Sequence, residues 1–341
     1  MAANRHQSRQ GEEGAEVASA PHPAGDASAR PRIFCIGGAC IDCSYRALAP
    51  VEFETSNPVD ARRGFGGVAR NVAENLARLG VATSLLTIVG EDANGGALTG
   101  HLRALGIGTG AIVTAPEKST AEYAAILGPD GGLVLGAADM GIFDLLTPAH
   151  LEAAWPEITG AEWVFADCNL PAELIGKLLA WRPGASFRLA IDAVSAPKAL
   201  RLPKDLAGLD MLFLNLREAA ACLGAGLPPR AAIARLFERG AAGAVLTMGA
   251  EGALVADATC ICHVPAVPAR PVEVTGAGDA MIAGCLFGLL AGANLAEAAR
   301  TGTLLAALTS ESTASVHPEL SPSLLERARN RLPEPRNAPA D

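Results

Sequence analysis

Aromatic residues, lysines and long apolar runs are scarce in this chain of 341 residues. Aromatic side chains make up only 4% of it, which leaves few stacking platforms for single-stranded nucleic acid. The formal net charge is −9, whereas a protein that binds duplex nucleic acid usually carries a basic face. No apolar run approaches the roughly 18 residues of a membrane span. The composition therefore argues against a nucleic acid or a membrane as partner, and leaves room for a small anionic ligand in a local pocket.

The two ends of the chain differ in composition from its centre. Residues 1–30 are rich in Ala, Gly, Ser, Pro and charge and lack the apolar segment of a secretory signal. We expect a disordered leader there, with an amphipathic targeting peptide as the alternative. Residues 331–341 are proline-rich and are expected to form a flexible tail. The folded domain is thus predicted to span residues 31–330.

The eight cysteines lie mostly in apolar or strand-like stretches. This usage is typical of reduced thiols in a cytoplasmic protein. The spacing in Cys260-x-Cys262-His263 differs from that of the usual structural zinc sites, and Cys40-x-x-Cys43 lies at a predicted strand end. Zinc is therefore not expected.

Short apolar runs alternate with amphipathic stretches from residue 32 onward. The predicted strands are residues 33–41, 84–89, 163–166, 188–194, 211–214 and 244–247. The predicted helices include residues 68–79, 96–105, 171–180 and 216–223, with Gly80 as the C-terminal cap of the first. This alternation indicates an α/β fold with a mostly parallel sheet and helices on both faces.

Two segments, about residues 44–64 and 111–139, break the alternation because they lack a helical stripe. The second contains the turn signal Gly128-Pro129-Asp130-Gly131 between two short apolar runs. We interpret both segments as a small β-sheet that covers a ligand at one edge of the main sheet. Two ordinary surface hairpins are the alternative.

The sequence Thr275-Gly276-Ala277-Gly278-Asp279 joins a strand-like segment to an apolar helix. Small residues let the amide groups of a helix N-terminus approach an anion, and the helix dipole favours negative charge there. An acid at this position can accept a proton from an attacking hydroxyl, as phosphoryl transfer requires. The residues by themselves fit equally well an Asp that caps a core helix after a tight turn.

Three further motifs follow predicted strands or open a predicted helix. Gly66-Gly67 precedes the helix that carries Asn71, and leaves bare backbone for a ligand. Asn215 and Glu218 fit a capping box, or a carboxylate that holds Mg²⁺ through water. The turn in Thr247-Met248-Gly249-Ala250-Glu251-Gly252 suits a phosphate cradle or a plain β-turn. Each motif is weak by itself, but their order along the chain is specific.

Taken together, these residues resemble the ribokinase-like (PfkB) family of sugar and nucleoside kinases over about residues 32–328. The resemblance implies a three-layer α/β/α sandwich with a small β-sheet lid, and ATP and Mg²⁺ as cofactors. By this likeness Asp279 is the catalytic base, and Gly276, Ala277 and Gly278 form the anion hole. The residues expected to bind the acceptor are Asp42, Gly66, Gly67, Asn71, Tyr123 and Asn169. Those expected to bind the nucleotide are Lys198, Asn215, Thr247, Gly249, Gly252 and Thr275, and Glu218 is the expected metal residue.

Within this family, several stretches resemble the pseudouridine kinases, among them residues 66–76, 166–169, 192–198 and 274–281. This likeness implies transfer of phosphate to the 5′-hydroxyl of a C-nucleoside, and we expect a homodimer. Two positions depart from the family pattern. Cys40 stands where many relatives have Asn, and a thiol is a poorer hydrogen-bond partner. Glu273 stands where relatives that bind K⁺ often have Asp, which leaves activation by a monovalent cation open.

Three alternatives remain from the sequence. The first is a kinase for another acceptor, such as ribose, adenosine or 2-dehydro-3-deoxygluconate. The second is a non-catalytic sensor on the same fold, which would not need the Asp279 turn. The third is a dinucleotide-dependent dehydrogenase, but residues 37–42 lack the Gly-x-Gly-x-x-Gly pattern of such a site.

Overall fold

The computed structural model describes residues 32–224, 226–333 and 336–337. Its strands are β1 Ile33–Ile36, β2 Cys40–Ala47, β3 Val59–Gly66, β4 Thr83–Leu86, β5 Ile88–Gly90, β6 Val113–Ala115, β7 Glu122–Leu127, β8 Leu133–Asp139, β9 Trp163–Asp167, β10 Arg188–Asp192, β11 Met211–Asn215, β12 Ala244–Thr247, β13 Ala253–Ala256, β14 Ile261–Val264 and β15 Arg336–Asn337. Its helices are α1 Val68–Arg78, α2 Ala93–Ala104, α3 Pro148–Ile158, α4 Ala172–Trp181, α5 Ala196–Ala199, α6 Leu216–Leu223, α7 Pro229–Glu238, α8 Ala277–Leu290, α9 Leu295–Ser310 and α10 Pro322–Ala328. The predicted leader lies outside the described residues, as does part of the predicted tail.

The main sheet has the strand order β15-β14-β13-β12-β11-β10-β9-β1-β4. The six strands from β12 to β4 are parallel to their neighbours, and β13, β14 and β15 pair antiparallel at the other edge. The prediction of a mostly parallel sheet is confirmed. Because parallel strands point the same way, the carboxyl ends of β1, β9, β10, β11 and β12 meet at one edge of the sheet.

Helices cover both faces of this sheet. In β1, Phe34 and Ile36 belong to one apolar cluster, whereas Ile33 and Cys35 belong to the other. Successive side chains of a strand point to opposite faces of the sheet, and all four residues are fully buried because helices cover both faces. The result is the predicted sandwich of three layers, α/β/α.

The smaller sheet has the order β3-β2-β7-β8, and we call it the lid. The prediction of one strand over residues 33–41 is wrong, because the chain leaves the main sheet after Ile36 and enters the lid at Cys40. Gly37 makes this passage possible: its φ is 149°, and a Cβ there would lie 2.4 Å from the Cγ atom of Asp167. The predicted strand 84–89 likewise divides into β4 and β5, which belong to different sheets.

Helix α1 runs from the lid to the main sheet. Val72 and Leu76 are fully buried, as the predicted apolar stripe requires. Gly80 follows the last turn with a φ of 81°, the left-handed conformation that commonly ends a helix. Among the residues described, no helix is long and apolar enough to cross a bilayer.

Candidate active site

The carboxyl edge of the main sheet carries a row of polar residues. Asp167 and Asp192 end β9 and β10 and are paired in register. Asn215 and Thr247 end β11 and β12 and are also paired. Burial raises the pKa of Asp192 well above its usual value, and the nearby Glu218 and Asp279 add to this effect. Carboxyl groups that are so perturbed at a strand-end cleft mark a candidate functional site.

Asp279 lies in the first turn of α8, directly behind the glycine turn. Its Oδ2 atom accepts a hydrogen bond from Asn71 Nδ2 at 2.6 Å, which joins two residues 208 positions apart in sequence. Burial raises the pKa of Asp279 to about 7, although the Asn71 hydrogen bond and the positive charge of Arg70 lower it. A carboxyl group that titrates near neutral pH, on a residue that is only partly buried, suits a general base.

The turn before Asp279 has a conformation that only glycine adopts easily. Gly276 has a φ of 81°, and a Cβ there would lie 2.0 Å from the carbonyl oxygen of Ser315. At Gly278 a Cβ would meet no atom within 4 Å, so the space in front of this residue is open. The Ala277 amide donates to the Val274 carbonyl at 3.2 Å. Among the described residues of this turn, the amides of Thr275, Gly276, Gly278 and Asp279 have no backbone acceptor.

Asp42 projects from the lid strand β2 toward the same site. Ser315 Oγ donates to Asp42 Oδ2 at 3.4 Å, and the Cys40 thiol lies 3.4 Å from Oδ1. The predicted departure at Cys40 thus places a weak thiol donor directly against the expected acceptor-binding acid. Burial raises the pKa of Asp42, and these two hydrogen bonds and Arg70 oppose the rise.

Gly66 and Gly67 have a steric role that the sequence motif did not reveal. A Cβ on Gly66 would lie 2.1 Å from Asp42 Oδ1. A Cβ on Gly67, whose φ is 94°, would lie 2.4 Å from the Gly38 carbonyl oxygen. The glycine pair therefore lets α1, β2 and the passage after β1 converge.

Asp167 holds this convergence together, and motif analysis gave it no role. Its carboxylate accepts hydrogen bonds from the amides of Gly38 and Ala69, both at 2.9 Å, and of Asn169 at 2.8 Å. Burial nevertheless raises its pKa. The sequence feature that could have identified Asp167 is its position directly after a predicted apolar strand.

Asn169 and Lys198 lie together, although we expected them on the acceptor and nucleotide sides respectively. Lys198 Nζ donates to Asn169 Oδ1. Burial lowers the pKa of Lys198, while the charge of Asp167 raises it. Arg201, which motif analysis missed, donates from one guanidinium nitrogen to the carbonyl oxygens of Cys168, Asn169 and Leu170 at 2.8–3.3 Å. It therefore fixes the loop that presents Asn169.

Asn215 and Glu218 form the capping box that the sequence also allowed. Asn215 Oδ1 accepts from the Glu218 amide at 3.0 Å, and the Glu218 carboxylate accepts from the Asn215 amide and side chain at 2.8 and 2.7 Å. Glu218 is buried, and burial raises its pKa. Each carboxylate oxygen accepts one hydrogen bond, so each keeps capacity for a metal-bound water.

Residues 247–252 connect β12 to β13. Gly249 has a φ of 61° and open space around it, whereas a Cβ on Gly252 would lie 2.1 Å from the Val264 carbonyl oxygen. The structure thus gives Gly252 a packing role and leaves Gly249 accessible. In the segment that leads into α8, Thr275 Oγ1 donates to Glu273 Oε1 at 2.8 Å, so the side chains of these two residues face each other.

A cleft of about 1000 Å³ lies between the lid, the loop before α8 and the loop after α9. In the lid, strand pairing aligns Asp42 with Tyr123 and Ser44 with Arg62, so these side chains share the face toward the cleft. Tyr123 lines the cleft, and its contact with an acceptor stays a prediction. Asn57 holds the loop between β2 and β3, since its side chain accepts from the Glu52 amide at 2.9 Å and donates to the Glu52 carbonyl at 2.8 Å.

Comparison with known proteins agrees with this geometry. The pfkB family carbohydrate kinase pattern matches residues 30–321. Pseudouridine kinase of Escherichia coli K12 is 30% identical over 273 residues, which cover 79% of this chain and 87% of that protein. An uncharacterized sugar kinase of the same organism, YeiI, is 29% identical over 84% of this chain and 81% of its own length.

Solved structures give the same answer for the fold. A carbohydrate kinase from Agrobacterium tumefaciens superposes with a TM-score of 0.79 at 32% identity, covering 89% of this chain and 98% of that one. Arabidopsis thaliana ribokinase, complexed with ribose and ATP, gives 0.75 at 19% identity, covering 88% and 99%. The chain belongs to the PfkB family of carbohydrate kinases. It is a sugar or nucleoside kinase with the ribokinase-like fold.

Proposed function

We propose that this protein transfers the γ-phosphate of ATP to the 5′-hydroxyl of pseudouridine, with Asp279 as the general base. The observation that carries the proposal is the Asn71–Asp279 pair at the glycine turn of α8, with the pKa of Asp279 raised to about 7. The E. coli relative named pseudouridine kinase and the sequence stretches shared with that group support the choice of acceptor.

The reaction balances with the groups at the site. Asp279 takes the proton of the 5′-hydroxyl as the hydroxyl oxygen forms a bond to the γ-phosphorus. The bond from that phosphorus to the β,γ-bridging oxygen breaks, and ADP leaves with its electron pair. The Gly278 and Asp279 amides, at the positive end of α8, would donate to the charge that develops on the transferred group.

The acceptor side consists of Asp42, Gly67, Asn71 and Asn169, which would bind the ribose hydroxyls. The lid, with Tyr123, would cover the base and exclude water from the transfer. The cleft under the lid, which Asp42 and Tyr123 line, would admit the acceptor to this site.

The nucleotide side would consist of Asn215, Thr247, Gly249 and Thr275, with Gly252 shaping the turn. Lys198, which contacts Asn169, would lie where acceptor and phosphate meet. Mg²⁺, when bound with the nucleotide, neutralises charge on the phosphates, and Glu218 would hold it through water. Glu273 accepts a hydrogen bond from Thr275, at the position where relatives that bind K⁺ often have Asp. Replacing K⁺ with Na⁺ in the assay tests whether activity requires K⁺.

An ADP-coupled assay across pseudouridine, uridine, adenosine, ribose and 2-dehydro-3-deoxygluconate tests the acceptor. We expect the highest kcat/KM with pseudouridine. Equal values for ribose and pseudouridine would overturn the nucleoside assignment and leave a sugar kinase. No turnover with any acceptor, together with intact ATP binding, would favour a sensor.

We further propose a cytoplasmic homodimer that joins through the lid. All eight cysteines are free thiols, as a reducing compartment allows. Strand β8 is an exposed edge with Leu133, Val134 and Leu135 on its surface, and such edges pair readily with another chain. Light scattering should give twice the chain mass, and Leu135→Lys should give a monomer. A wild-type protein that is monomeric at assay concentration would refute this interface.

A further inference from the structure

An arginine is buried beside the candidate base without contacting it. Arg70, in the first turn of α1, is only 2% exposed. Its guanidinium pairs with Glu74 at 2.5 Å and donates to the Gly66 carbonyl at 3.2 Å. It also donates to the Phe65 carbonyl and to Asn71 Oδ1. A buried charge is costly unless it is fully paired, so this arrangement is a built feature of the fold.

Arg70 determines which end of the Asn71 amide faces Asp279. A guanidinium has only donors, so it engages the amide oxygen of Asn71 and leaves the NH₂ group on the other side. That NH₂ group donates to Asp279 Oδ2 at 2.6 Å. With the amide reversed, its oxygen would oppose a carboxylate oxygen, and its NH₂ would oppose a donor.

Arg70 also balances the negative charges around Asp279. The acids that interact with Asp279 come from three other elements: Asp42 on β2, Asp167 on β9 and Asp192 on β10. Asp42 and Asp167 raise the pKa of Asp279, whereas Arg70 lowers it.

The guanidinium itself is held in place by a second set of charges. Glu74 is 3% exposed and also accepts from Arg78 at 2.8 Å and contacts His101 Nε2 at 2.9 Å. His101 in turn stacks on Phe65, with ring centroids 4.6 Å apart. These contacts leave Arg70 little freedom to turn away from Asn71.

We infer that Arg70 is a positioning residue for phosphoryl transfer: it orients the Asn71 amide toward Asp279 and supplies the positive charge that favours the ionised base. The inference rests on the proposed role of Asp279 as base. It assigns to Arg70 a role that acts through Asn71 and through its charge.

Arg70→Met is the direct test, because it removes the charge and the donors. Arg78→Met is the matched control: it lies on the same helix and pairs with Glu74, but it has no contact with Asn71. The titration of Asp279 is followed by the ¹³C signal of its labelled carboxyl group, identified by its loss in Asp279→Asn. This readout needs no acceptor.

We expect Arg70→Met to raise the pKa of Asp279 by about one unit, the usual effect of losing a close opposite charge. Arg78→Met should leave it unchanged. In kinetics, kcat/KM of Arg70→Met should fall about tenfold at pH 6 relative to wild type, and much less at pH 9, where Asp279 is ionised in both. If Arg70→Met does not fold, Arg70→Gln removes the same charge with a polar side chain, and Glu74 keeps Arg78 and His101 as partners.

An unchanged Asp279 titration in the folded variant would overturn the inference. So would a kinetic loss of equal size at every pH, which is what a merely structural role produces. Failure of the underlying function is distinguishable: Asp279→Asn would then keep near wild-type turnover, whatever Arg70→Met does.

Discussion

Two glycines in the turn before Asp279 allow a paired test of the anion hole. Gly276→Ala and Gly278→Ala add the same methyl group two residues apart. At Gly276 the left-handed φ of 81° costs a non-glycine residue about 1 to 2 kcal/mol. The new Cβ would also lie 2.0 Å from the Ser315 carbonyl oxygen, so the loop must shift. We expect a total loss of about 2 to 4 kcal/mol in the free energy of unfolding.

Gly278→Ala should behave in the opposite way. The residue is helical, no atom lies within 4 Å of the position that a Cβ would take, and alanine is favoured over glycine in helices by roughly 0.5 to 1 kcal/mol. Stability should therefore stay the same or rise slightly. The methyl group would, however, occupy the space in front of the free amides, so kcat should fall at least about tenfold, since loss of one such donor costs about 10²- to 10³-fold elsewhere.

Urea unfolding and the ADP-coupled assay measure the two effects separately. Full activity in a stable Gly278→Ala protein would show that the transferred phosphate does not lie against this turn. An undiminished stability of Gly276→Ala would refute the steric argument for the turn conformation.

Three further predictions concern the acceptor side and the titration of the base. Gly66→Ala should raise KM for the acceptor and leave KM for ATP unchanged, since its Cβ would lie 2.1 Å from Asp42 Oδ1. Gly64→Ala is the control, because it lies on the same strand and its Cβ would meet no atom within 4 Å. Equal effects of the two substitutions would contradict the reasoning. The acid limb of kcat/KM should have its midpoint near pH 7, with activity lost below it, because Asp279 acts as a base only when ionised; a midpoint near pH 4 would contradict this. The pKa of Asp279 is higher in the folded than in the unfolded state, so ionisation of this group destabilises the fold as pH rises from about 4 to 7. In urea unfolding at pH 8, Asp279→Asn should therefore be more stable than wild type by at least about 1 kcal/mol. A less stable variant would refute this.

The fold was largely predictable from the sequence because strand and helix periods are local properties. The strands 211–214 and 244–247 and the helix 216–223 agree closely with β11, β12 and α6. The error at residues 33–41 has a physical cause. The run is apolar throughout, but Gly37 lets the chain change sheets, and apolar pattern alone does not show which sheet a residue joins.

The site was predictable to the extent that motifs stand at strand ends. Asn71 and Asp279 were both expected, and the structure joins them by a hydrogen bond. Arg70 was missed because a charged residue next to a predicted binding residue normally faces solvent. Its burial depends on Glu74 and on the lid carbonyls, which are contacts between elements that no local pattern specifies.

The activity of Asp279→Asn tests the central claim most directly. A general base contributes about 10²- to 10⁴-fold to rate, and the variant keeps the shape of the side chain. In the ADP-coupled assay with pseudouridine, we predict a fall in kcat of at least about 100-fold with an unchanged Kd for ATP. A variant that phosphorylates the acceptor at nearly the wild-type rate would contradict the account.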